Sequence, residues 1–516
     1  MHKPRIIERH LPDDAATMSL GREISLFLRP GDWILLSGNL GAGKSTLARA
    51  IIRALAPDMG EFEVPSPTFT LVQPYEFTRI PVAHADLYRI GDPEEVHELG
   101  LEDLARQGIV IVEWPDRLPA LPADFLHVDL ADTPDGEGRI ARLAGHGAWE
   151  ERLARMETVH GFLAAHLESP ACERRFLQGD ASTRRYERIA CPGNPSRILM
   201  DMPERPDGPP IRDGRSYDEL AHLAHSARAV WAINTLLRDR GFSAPAIHAA
   251  DLRTGLLLLE DLGNDVFGRL YAEGRMPALL AAATDVLAKM RATEWPDRVE
   301  TPAGPHLIAP YDDAAFLIEA ELLLDWFWPR FAGHPPTPEE RATYRRIWLS
   351  LLPLAREGHP VLVLRDFHSP NLLWLPDRQG MARVGLIDTQ DAVLGPAVYD
   401  LASLLQDART DIPEALENEM LNRYIAAVSE REKNFDEDRF RTAYAVMGAQ
   451  RAAKVLGIFV RLKERDGKPA YMAHLPRVAR YLHRNLAHPA LATLRLWLLK
   501  HLPMLETPEK LTEAKA

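Results

Sequence analysis

Two short stretches of the chain carry residue types that handle phosphate and metal ions. The first, GNLGAGKS at residues 38–45, combines three glycines with Lys44 and Ser45. Glycines let backbone N–H groups converge on phosphate oxygens, and the positive end of a following helix adds to the attraction. In this spacing Lys44 should reach the outer phosphates and the Ser45 hydroxyl should join the shell of a Mg²⁺ ion. The residues expected to hold a nucleoside triphosphate are Gly38, Leu40, Gly41, Ala42, Gly43, Lys44, Ser45 and Thr46.

The second stretch, LRDFHSPN at residues 364–371, places Asp366 and Asn371 in the D-x-x-x-x-N spacing of kinase catalytic loops. An apolar run, a turn at PDRQG and a second apolar run then lead to Asp388. Such a strand pair returns the chain, so that Asp388 can face Asp366 and Asn371 around one nucleotide. We expect Asp366 to accept a hydroxyl proton from the substrate, and Asn371 and Asp388 to give oxygen ligands to Mg²⁺.

The elements around the first stretch read as an α/β unit. Residues 20–145 alternate short apolar runs with helical segments, which is typical of a parallel sheet with crossover helices. Asp86 ends the run PVAHAD and Glu113 ends IVIVEW. Because buried parallel strands present their carboxyl ends to a shared crevice, both residues are candidates for the carboxylate near the metal or the group that positions water. A helix cap or a solvated turn is the alternative for each of them.

The elements around the second stretch read as two lobes. FLQGDASTRRYERI predicts a hairpin whose small and hydroxyl-bearing tip covers phosphates, and GLLLLEDLG predicts a buried strand that enters a hinge at Glu260. From about residue 275 onward helical periodicity dominates. The predicted fold is therefore an α/β P-loop NTPase domain followed by an α+β bilobal protein-kinase-like domain.

Composition and charge narrow the class of protein. The 516 residues are 46% hydrophobic and 26% charged, as in folded proteins, and the net charge of −13 disfavours a direct grip on nucleic acid. The only cysteines, Cys172 and Cys191, are expected to be packed thiols in a reducing compartment. The chain shows neither a signal-peptide pattern at its start nor a run of ~18 apolar residues, so we expect a cytoplasmic protein without a membrane segment.

Further segments carry a resemblance in the first part of the chain. VPSPTFTLVQPY (64–75), HADLYRIGDPEEVHELG (84–100) and VEWPDRL (112–118) accompany the glycine loop. Over about residues 8–145 the chain resembles the TsaE ATPases of bacterial tRNA threonylcarbamoyladenosine synthesis. The resemblance implies Mg²⁺ at Ser45 and Glu113, an acidic catalytic or metal-associated Asp86, a switch-like segment with Thr68 and Thr70, and an approach of Arg139 to the nucleotide. It also implies docking on TsaB and TsaD, with tRNA contacted through these partners.

A second resemblance covers about residues 170–485. GDASTRRY, ILMDMP, EDLG, RDFHSPNLL, IDTQDAVLGPAVYDLASLL and MGAQRAAKVLGIF carry it. These segments are similar to the aminoglycoside-phosphotransferase-like kinases, above all to the AmgK type, which phosphorylates N-acetylmuramate and N-acetylglucosamine at the anomeric hydroxyl. The residues expected on the nucleotide of this half are Ser182, Arg184, Arg185, Glu260 and Asn371.

Two departures from general kinase patterns leave alternatives open. RILMDM stands where a strand lysine would pair the phosphates, so that Arg184, Arg185 or Arg197 must serve, and Leu364 replaces the histidine of H-R-D. Together with the missing A-P-E segment, these departures argue against a protein kinase and leave an inactive pseudokinase as an option. A kinase for aminoglycoside, choline or homoserine, and a non-catalytic nucleotide sensor that regulates the ATPase, remain alternatives.

The segment YDDAAFLIEAELLLDWFWP (311–329) has carboxylates and aromatic residues at helical spacing. Such a stripe is commonly core plus a solvated face. Sugar contacts from it need polar side chains beside an aromatic plane. The residues considered for such contacts are Glu319, Glu321, Asp325 and Trp326.

The sequence thus predicts a fusion of two ATP-using and Mg²⁺-using enzymes. The expected domains are a TsaE-like ATPase domain at 1–150, a linker helix at 151–170, a kinase domain at 171–495, and a C-terminal helix with a polar tail at 496–516. The expected partners are TsaB-like and TsaD-like proteins and a small amino sugar.

Overall fold

The structure is a computed structural model that describes residues 5–60, 62–169, 172–177 and 184–512. The chain forms two compact units, Met1–Asp201 and Met202–Ala516. The second unit thus starts inside the segment expected to be the kinase domain, and the boundaries at 150 and 170 stay predictions. Over the described residues, no helix combines the length and the apolar character needed to cross a membrane.

The first unit contains a mixed seven-stranded sheet. Its order is β1-β7-β6-β2-β5-β4-β3, and the four central strands β6, β2, β5 and β4 run parallel, whereas β3, β7 and β1 pair antiparallel at the edges. The strands are β1 (Ile6–Leu11), β2 (Trp33–Gly38), β3 (Val72–Tyr75), β4 (Val82–Asp86), β5 (Ile109–Glu113), β6 (Phe125–Asp132) and β7 (Arg139–His146). The α/β prediction is confirmed, with antiparallel edges that the apolar runs alone did not indicate.

Four helices accompany these strands: α1 (Asp14–Phe27), α2 (Lys44–Ala54), α3 (Leu101–Gln107) and α4 (Trp149–His166). The side chain of Asp13 caps α1 by accepting from the backbone N–H of Ala16, and α2 packs against α1. The helix α2 starts at Lys44 directly after Gly43, whose φ of 99° lies in the left-handed region. Strand β2, the glycine loop and α2 therefore form the strand–loop–helix unit that the sequence predicts.

Three further strands of the first unit follow α4: β8 (Glu173–Leu177), β9 (Arg185–Ala190) and β10 (Arg197–Asp201). They pair antiparallel, and a buried ion-pair cluster joins them to the ATPase-like part. Glu23 on α1 lies 3.6 Å from Arg174 on β8, 3.2 Å from His160 on α4 and 3.8 Å from Arg9 on β1. Burial alone would raise the pKa of Glu23, but these cationic partners and the His160 hydrogen bond lower it. We call Glu23, Arg174, His160 and Arg9 the Glu23 cluster.

The two cysteines are joined in a disulfide, and the expectation of two packed thiols is wrong. The antiparallel register pairs Glu173 with Ala190. Cys172 and Cys191 flank this pair on opposite strands, so their Cα atoms stand 4.2 Å apart. The bond closes the open end of the β8–β9 hairpin.

The second unit is mainly helical. Its helices are α5 (Tyr217–Leu220), α6 (Ala227–Asp239), α7 (Phe267–Leu270), α8 (Met276–Arg291), α9 (Asp313–Ala320), α10 (Trp328–Ala332), α11 (Pro338–Ala355), α12 (Val398–Leu405), α13 (Glu414–Ser429), α14 (Glu437–Glu464), α15 (Leu475–Leu486) and α16 (Ala492–His501). The 28-residue helix α14 is buried along most of its length and packs against α9, α11, α12 and α15. It forms the centre of one large apolar core.

Short antiparallel strand pairs complete this unit. They are β11 (Pro210–Arg212) with β12 (Arg215–Ser216), β13 (Ile247–Asp251) with β14 (Leu256–Glu260), β15 (Arg298–Val299) with β16 (His306–Leu307), β17 (Val361–Val363) with β20 (Val393–Gly395), and β18 (Leu372–Trp374) with β19 (Val384–Leu386). The hairpin β18–β19 is the strand pair predicted between Asn371 and Asp388. The α+β prediction for this half is confirmed.

Candidate active sites

The loop 38–45 of the first unit wraps around the ammonium group of Lys44. Lys44 Nζ donates to the carbonyl oxygens of Gly38 at 2.7 Å and Asn39 at 2.8 Å, and it lies 3.8 Å from the centre of the Trp114 ring. Burial lowers the pKa of Lys44, against the opposing effect of Glu113 and Asp86. At Gly38, with φ of 135°, an added Cβ would stand 2.3 Å from the Leu130 oxygen, so only glycine fits.

Glu113 is the hub of the first site. One carboxylate oxygen accepts from the Ser45 hydroxyl at 2.8 Å, and the other lies 2.9 Å from His84 Nε2. Strand β5 pairs with β2 and β4 in parallel, and this register brings the end of β5 beside the start of α2. The structure thus brings together Ser45 and Glu113, the two residues predicted to hold Mg²⁺ in this half.

Asp86 lies beside Glu113, because the two residues are register partners at the ends of β4 and β5. Its carboxylate accepts from the Ser66 hydroxyl at 3.2 Å and from the backbone N–H of Tyr88 at 3.1 Å. Ser66 belongs to the segment PSPTFT, so the predicted switch-like segment is tied to the acidic residue.

Arg139 approaches the glycine loop from β7. A Cβ added at Gly43 would stand 3.0 Å from the Arg139 guanidinium, which also lies 3.7 Å from the Asp14 carboxylate. Leu40 on the same loop and Phe69 between Thr68 and Thr70 are largely exposed. Arg139 thus lies beside the glycine loop, as the resemblance implies.

In the second unit, Asn371 links the catalytic loop to the predicted metal aspartate. Asn371 Nδ2 donates to the Asp366 carbonyl oxygen at 3.1 Å and to Asp388 Oδ2 at 3.4 Å. The hairpin β18–β19 sets this geometry. Leu372 pairs with Leu386, so Asn371 before the hairpin and Asp388 after it come close together. Asn371, Asp388 and the Asp366 backbone thus come together as predicted.

Asp366 itself presents an open carboxylate. About 45% of its side chain is exposed, and its Oδ1 lies 3.8 Å from His368 Nε2. Burial of the surroundings would raise the pKa of Asp366, but the charges of His368, Lys454, Arg451 and Arg365 lower it. An ionised carboxylate is the form that accepts a proton from an attacking hydroxyl group.

Asp400 on α12 fixes the backbone of the catalytic loop. Its two carboxylate oxygens accept from the N–H groups of Leu364 at 2.6 Å and Arg365 at 2.9 Å. Burial raises the pKa of Asp400 to about 7, even though these two hydrogen bonds favour the ionised form. Arg365 holds a left-handed backbone conformation with φ of 69°, so Asp400 stabilises a strained turn next to Asp366.

A buried charge cluster supports the same loop from below. The guanidinium of Arg365 pairs with Glu319 on α9, and Lys454 Nζ on α14 donates to the same carboxylate at 2.9 Å. Burial would raise the pKa of Glu319, but Arg365 and Lys454 lower it to about 2. The Tyr311 hydroxyl also donates to Glu319, so its carboxylate is fully used inside the protein.

The neighbouring candidates for sugar contact are also engaged. Glu321 is fully buried and pairs with Arg212, with Arg341 at 3.3 Å and with Arg345 at 3.2 Å. Asp325 accepts from Arg341 at 2.7 Å, and Trp326 packs against the core. The stripe 311–329 thus serves the core and its ion pairs, and it leaves neither Glu319 nor Glu321 exposed to a sugar.

The residues predicted to contact the nucleotide before the catalytic loop have different surroundings in the structure. Ser182 lies outside the described residues. Arg185 pairs with Asp201 at 2.8 Å and stacks 3.6 Å from the Phe27 ring centre, so the structure gives it a role inside the first unit. Arg184 also has interaction partners, as does Glu260, which accepts from the Ala246 N–H at 3.1 Å and pairs with Arg378.

The oxygen-bearing side chains of both sites suit Mg²⁺. Hydroxyl and carboxylate oxygens meet at Ser45 and Glu113, and amide and carboxylate groups meet at Asn371 and Asp388. Within the described ranges, no three His, Cys, Asp or Glu side chains cluster to hold a metal. This donor set fits a Mg²⁺ ion that takes its remaining ligands from phosphates and water.

Several residues of the sites were not predicted. They are His84, Ser66, Trp114 and Asp400, each of which positions a predicted residue. The signal for His84 was present, since it alternates with Asp86 along one short strand. The role of Asp400 depends on how α12 folds back on the loop, which no local pattern shows.

Comparisons with known proteins assign the two candidate sites to two different families. The family model described as threonylcarbamoyl adenosine biosynthesis protein TsaE matches residues 11–140, and that of the phosphotransferase enzyme family matches residues 173–442. Over 341 residues the chain is 38% identical to an N-acetylmuramate/N-acetylglucosamine kinase of Caulobacter vibrioides, which covers 64% of this chain and 92% of that protein.

Two further relatives show the same pattern. An N-acetylmuramate/N-acetylglucosamine kinase of Pseudomonas putida is 33% identical over 63% of this chain and 88% of its own length. A tRNA threonylcarbamoyladenosine biosynthesis protein TsaE of a Nostoc species is 39% identical over 24% of this chain and 78% of its own length.

Proposed function

We propose one function for each of the two families to which this chain belongs: it is a member of the TsaE family over residues 11–140 and of the phosphotransferase enzyme family over residues 173–442. The first half is an ATPase that supports the synthesis of threonylcarbamoyladenosine in tRNA. The second half is an ATP-dependent kinase that phosphorylates the anomeric hydroxyl of N-acetylmuramate or N-acetylglucosamine in cell-wall recycling.

The observation that carries the kinase proposal is the open carboxylate of Asp366 beside the Asn371–Asp388 pair. Asp366 accepts the proton of the sugar hydroxyl as that oxygen attacks the γ-phosphorus of ATP. The bond from the γ-phosphorus to the β–γ bridging oxygen breaks, and ADP leaves with that oxygen. Asn371 and Asp388 would hold Mg²⁺, which neutralises charge on the phosphate oxygens when bound. Asp400 and Glu319 keep the loop in place through Leu364 and Arg365.

The ATPase proposal rests on the link from the glycine loop to the segment 65–70. Lys44 and the loop N–H groups bind the phosphates, while Ser45 and Glu113 would hold Mg²⁺. Asp86 connects this centre to Ser66. We propose that hydrolysis changes the segment 65–70, and that TsaB-like and TsaD-like partners read this change and themselves contact the tRNA.

The location proposed for this protein is the cytoplasm, where ATP and both classes of substrate are available. No membrane partner is proposed. The net charge of −13 supports indirect rather than direct contact with tRNA.

The kinase proposal is tested with the full chain, ATP, and N-acetylmuramate or N-acetylglucosamine. Phosphorus NMR should show a sugar phosphate whose coupling identifies the anomeric position. Aminoglycosides, choline and homoserine serve as competing acceptors in parallel assays. If phosphate is transferred to one of these acceptors and to neither sugar, the proposed substrate is wrong. If phosphate is transferred to no acceptor, the result favours a non-catalytic nucleotide sensor.

The ATPase proposal is tested by phosphate release in the presence of TsaB and TsaD proteins. We expect the partners together to stimulate hydrolysis, and we expect the full mixture to form threonylcarbamoyladenosine in tRNA. If hydrolysis is the same with and without the partners, the proposed role in their cycle is wrong.

A further inference from the structure

The helix α14 presents a polar face to the catalytic loop, and two of its side chains have clear internal partners. Gln450 Nε2 donates to the Phe316 carbonyl oxygen at 3.1 Å. Lys454 Nζ donates to Glu319 and to the Tyr399 hydroxyl at 3.2 Å. Arg451 lies one turn before Lys454, so the two cations occupy adjacent positions on one side of the helix.

Arg451 differs from the other buried arginines of this unit. Arg291 pairs with Glu357 and Glu432, and Arg365 pairs with Glu319. Arg451 is only 7% exposed, yet it makes no hydrogen bond or ion pair with any residue in the described part of the chain. Among the described residues, its nitrogen atoms do not belong to the fully buried side-chain atoms that lack a partner, so an anion from outside can still reach the guanidinium.

Arg451 belongs to the charged surroundings of the catalytic loop, because it lies one turn before Lys454, whose partner Glu319 also pairs with Arg365. Its charge acts on Asp366, His368 and Asp400, whose pKa values it helps to lower. Arg451 acts on this site from α14, whereas Asn371 and Asp388 lie at the ends of the β18–β19 hairpin. The oxygen-rich groups that suit the metal and phosphates and the unpaired cation thus belong to different elements.

We propose that Arg451 binds a carboxylate of the acceptor sugar and makes the kinase prefer an acidic sugar to a neutral one. This inference rests on the proposed kinase function. N-acetylmuramate carries a lactyl carboxylate and N-acetylglucosamine does not. A planar guanidinium matches a carboxylate with two parallel hydrogen bonds, and such a charge-assisted pair is stronger than a hydrogen bond between neutral groups. Arg451 is then a specificity-determining residue, and Asp366 remains the base for both sugars.

The test compares kcat/KM for the two sugars in the full chain. Losing a hydrogen-bonded charge contact of this kind should lower kcat/KM for N-acetylmuramate by about 10- to 100-fold in Arg451→Ala, with a much smaller change for N-acetylglucosamine. Arg451→Lys should fall between wild type and Arg451→Ala. Equal losses for both sugars would overturn the proposal, since Arg451 would then act on the phosphoryl group or on the fold.

The matched control is Arg441→Ala. Arg441 lies on the same helix but near the surface, where it pairs with Glu437 and Asn422. The ratio of the two kcat/KM values should remain that of wild type in this variant.

A second measurement needs no variant and therefore does not depend on folding. The wild-type protein is given N-acetylmuramate and its methyl ester, which differ in the charge of the carboxyl group. The ester should lose about the same factor as the acid loses in Arg451→Ala. Equal turnover of acid and ester would overturn the proposal, whereas absence of transfer to every sugar would instead refute the kinase function.

Discussion

The two candidate sites differ in how their carboxylates are partnered. In the first site both carboxylates are occupied: Glu113 by Ser45 and His84, and Asp86 by Ser66. In the second, the carboxylate of Asp366 accepts no hydrogen bond from the described residues and stays nearly half exposed. At a site that hydrolyses ATP, the carboxylates can be hydrogen-bonded to a neighbouring segment. At a site that transfers phosphate, the base must stay accessible to the acceptor.

Both sites nevertheless use strained backbone at the same kind of position. Trp114, directly after Glu113, has φ of 63°, and Arg365, directly before Asp366, has φ of 69°. Asp388 also lies in this region, with φ of 62°. Each such residue costs about 1–3 kcal/mol and persists only where its surroundings enforce it. The buried contacts of Lys44 with Trp114 and of Asp400 with Arg365 supply that enforcement.

The largest effect that separates the sites is expected from Asp366→Asn. An amide cannot accept the hydroxyl proton, so sugar phosphorylation should fall by about 10²- to 10⁴-fold in kcat. Partner-stimulated ATP hydrolysis in the same protein should be unchanged. Asp377→Asn, at an exposed turn, is the matched control. If the Asp366 variant kept full transfer activity, the open carboxylate would have no part in chemistry.

The next effect concerns the support of the second site. Glu319→Gln leaves Arg365 and Lys454 buried without their counter-charge, so the free energy of unfolding should fall by about 3–5 kcal/mol. Urea unfolding of the full chain, followed by a probe in the second unit, measures this change. Glu437→Gln, which breaks an exposed pair with Arg441, should cost less than about 1 kcal/mol. Equal costs for the two variants would contradict the central role of Glu319.

Lys44→Ala is expected to have the opposite effect to Asp366→Asn: ATP hydrolysis is lost and sugar phosphorylation is kept. Loss of the ammonium that reaches the phosphates should reduce partner-stimulated hydrolysis by about 10²- to 10³-fold, while sugar phosphorylation continues. Arg106→Ala, at an exposed pair with Asp103, is a suitable control in the same unit. A parallel loss of sugar phosphorylation in Lys44→Ala would show that the two sites do not work independently.

The smallest effect is a pH dependence specific to the second site. Burial raises the pKa of Asp400 to about 7 in the folded protein, whereas its ordinary value is 3.8. The folded state therefore binds an extra proton between these values, and the stability contributed by this group falls as pH rises from about 4 to about 7.

Asp400→Asn removes this titration. The slope of the free energy of unfolding against pH should become more positive by up to about 1.4 kcal/mol per pH unit in that window. Urea unfolding at pH 5, 6 and 7 measures it. Parallel curves for wild type and variant would show that the N–H groups of Leu364 and Arg365 keep Asp400 ionised.

Local sequence patterns predicted those parts of the sites that depend on neighbours along the chain. The glycine loop, the strand ends at Asp86 and Glu113, and the hairpin between Asn371 and Asp388 are of this kind. The pairing of Arg365 with Glu319 joins residues 46 positions apart through helix packing, and no periodicity shows it. For the same reason the sequence left sugar contact open for Glu319, whereas the structure shows this residue in an internal ion pair.

The sequence contained enough information to predict the disulfide between Cys172 and Cys191. The segment around residues 178–184 was predicted as the tip of a hairpin. Cys172 and Cys191 lie symmetrically about that tip, so an antiparallel pairing sets them opposite each other. The symmetric placement of the two cysteines about a predicted turn indicates the disulfide, whereas the number of cysteines does not.

The Glu23 cluster has a practical consequence for dissecting this protein. Strands β8–β10 match the kinase family by sequence, yet Arg174 is held by Glu23 of the ATPase half. A fragment cut at the start of β8 would carry Arg174 away from Glu23, and each separated half would keep an ionised side chain with one counter-ion fewer. Point substitutions such as Lys44→Ala and Asp366→Asn therefore dissect the two activities more cleanly than truncation, and a shorter expression clone should retain the ATPase half as a scaffold.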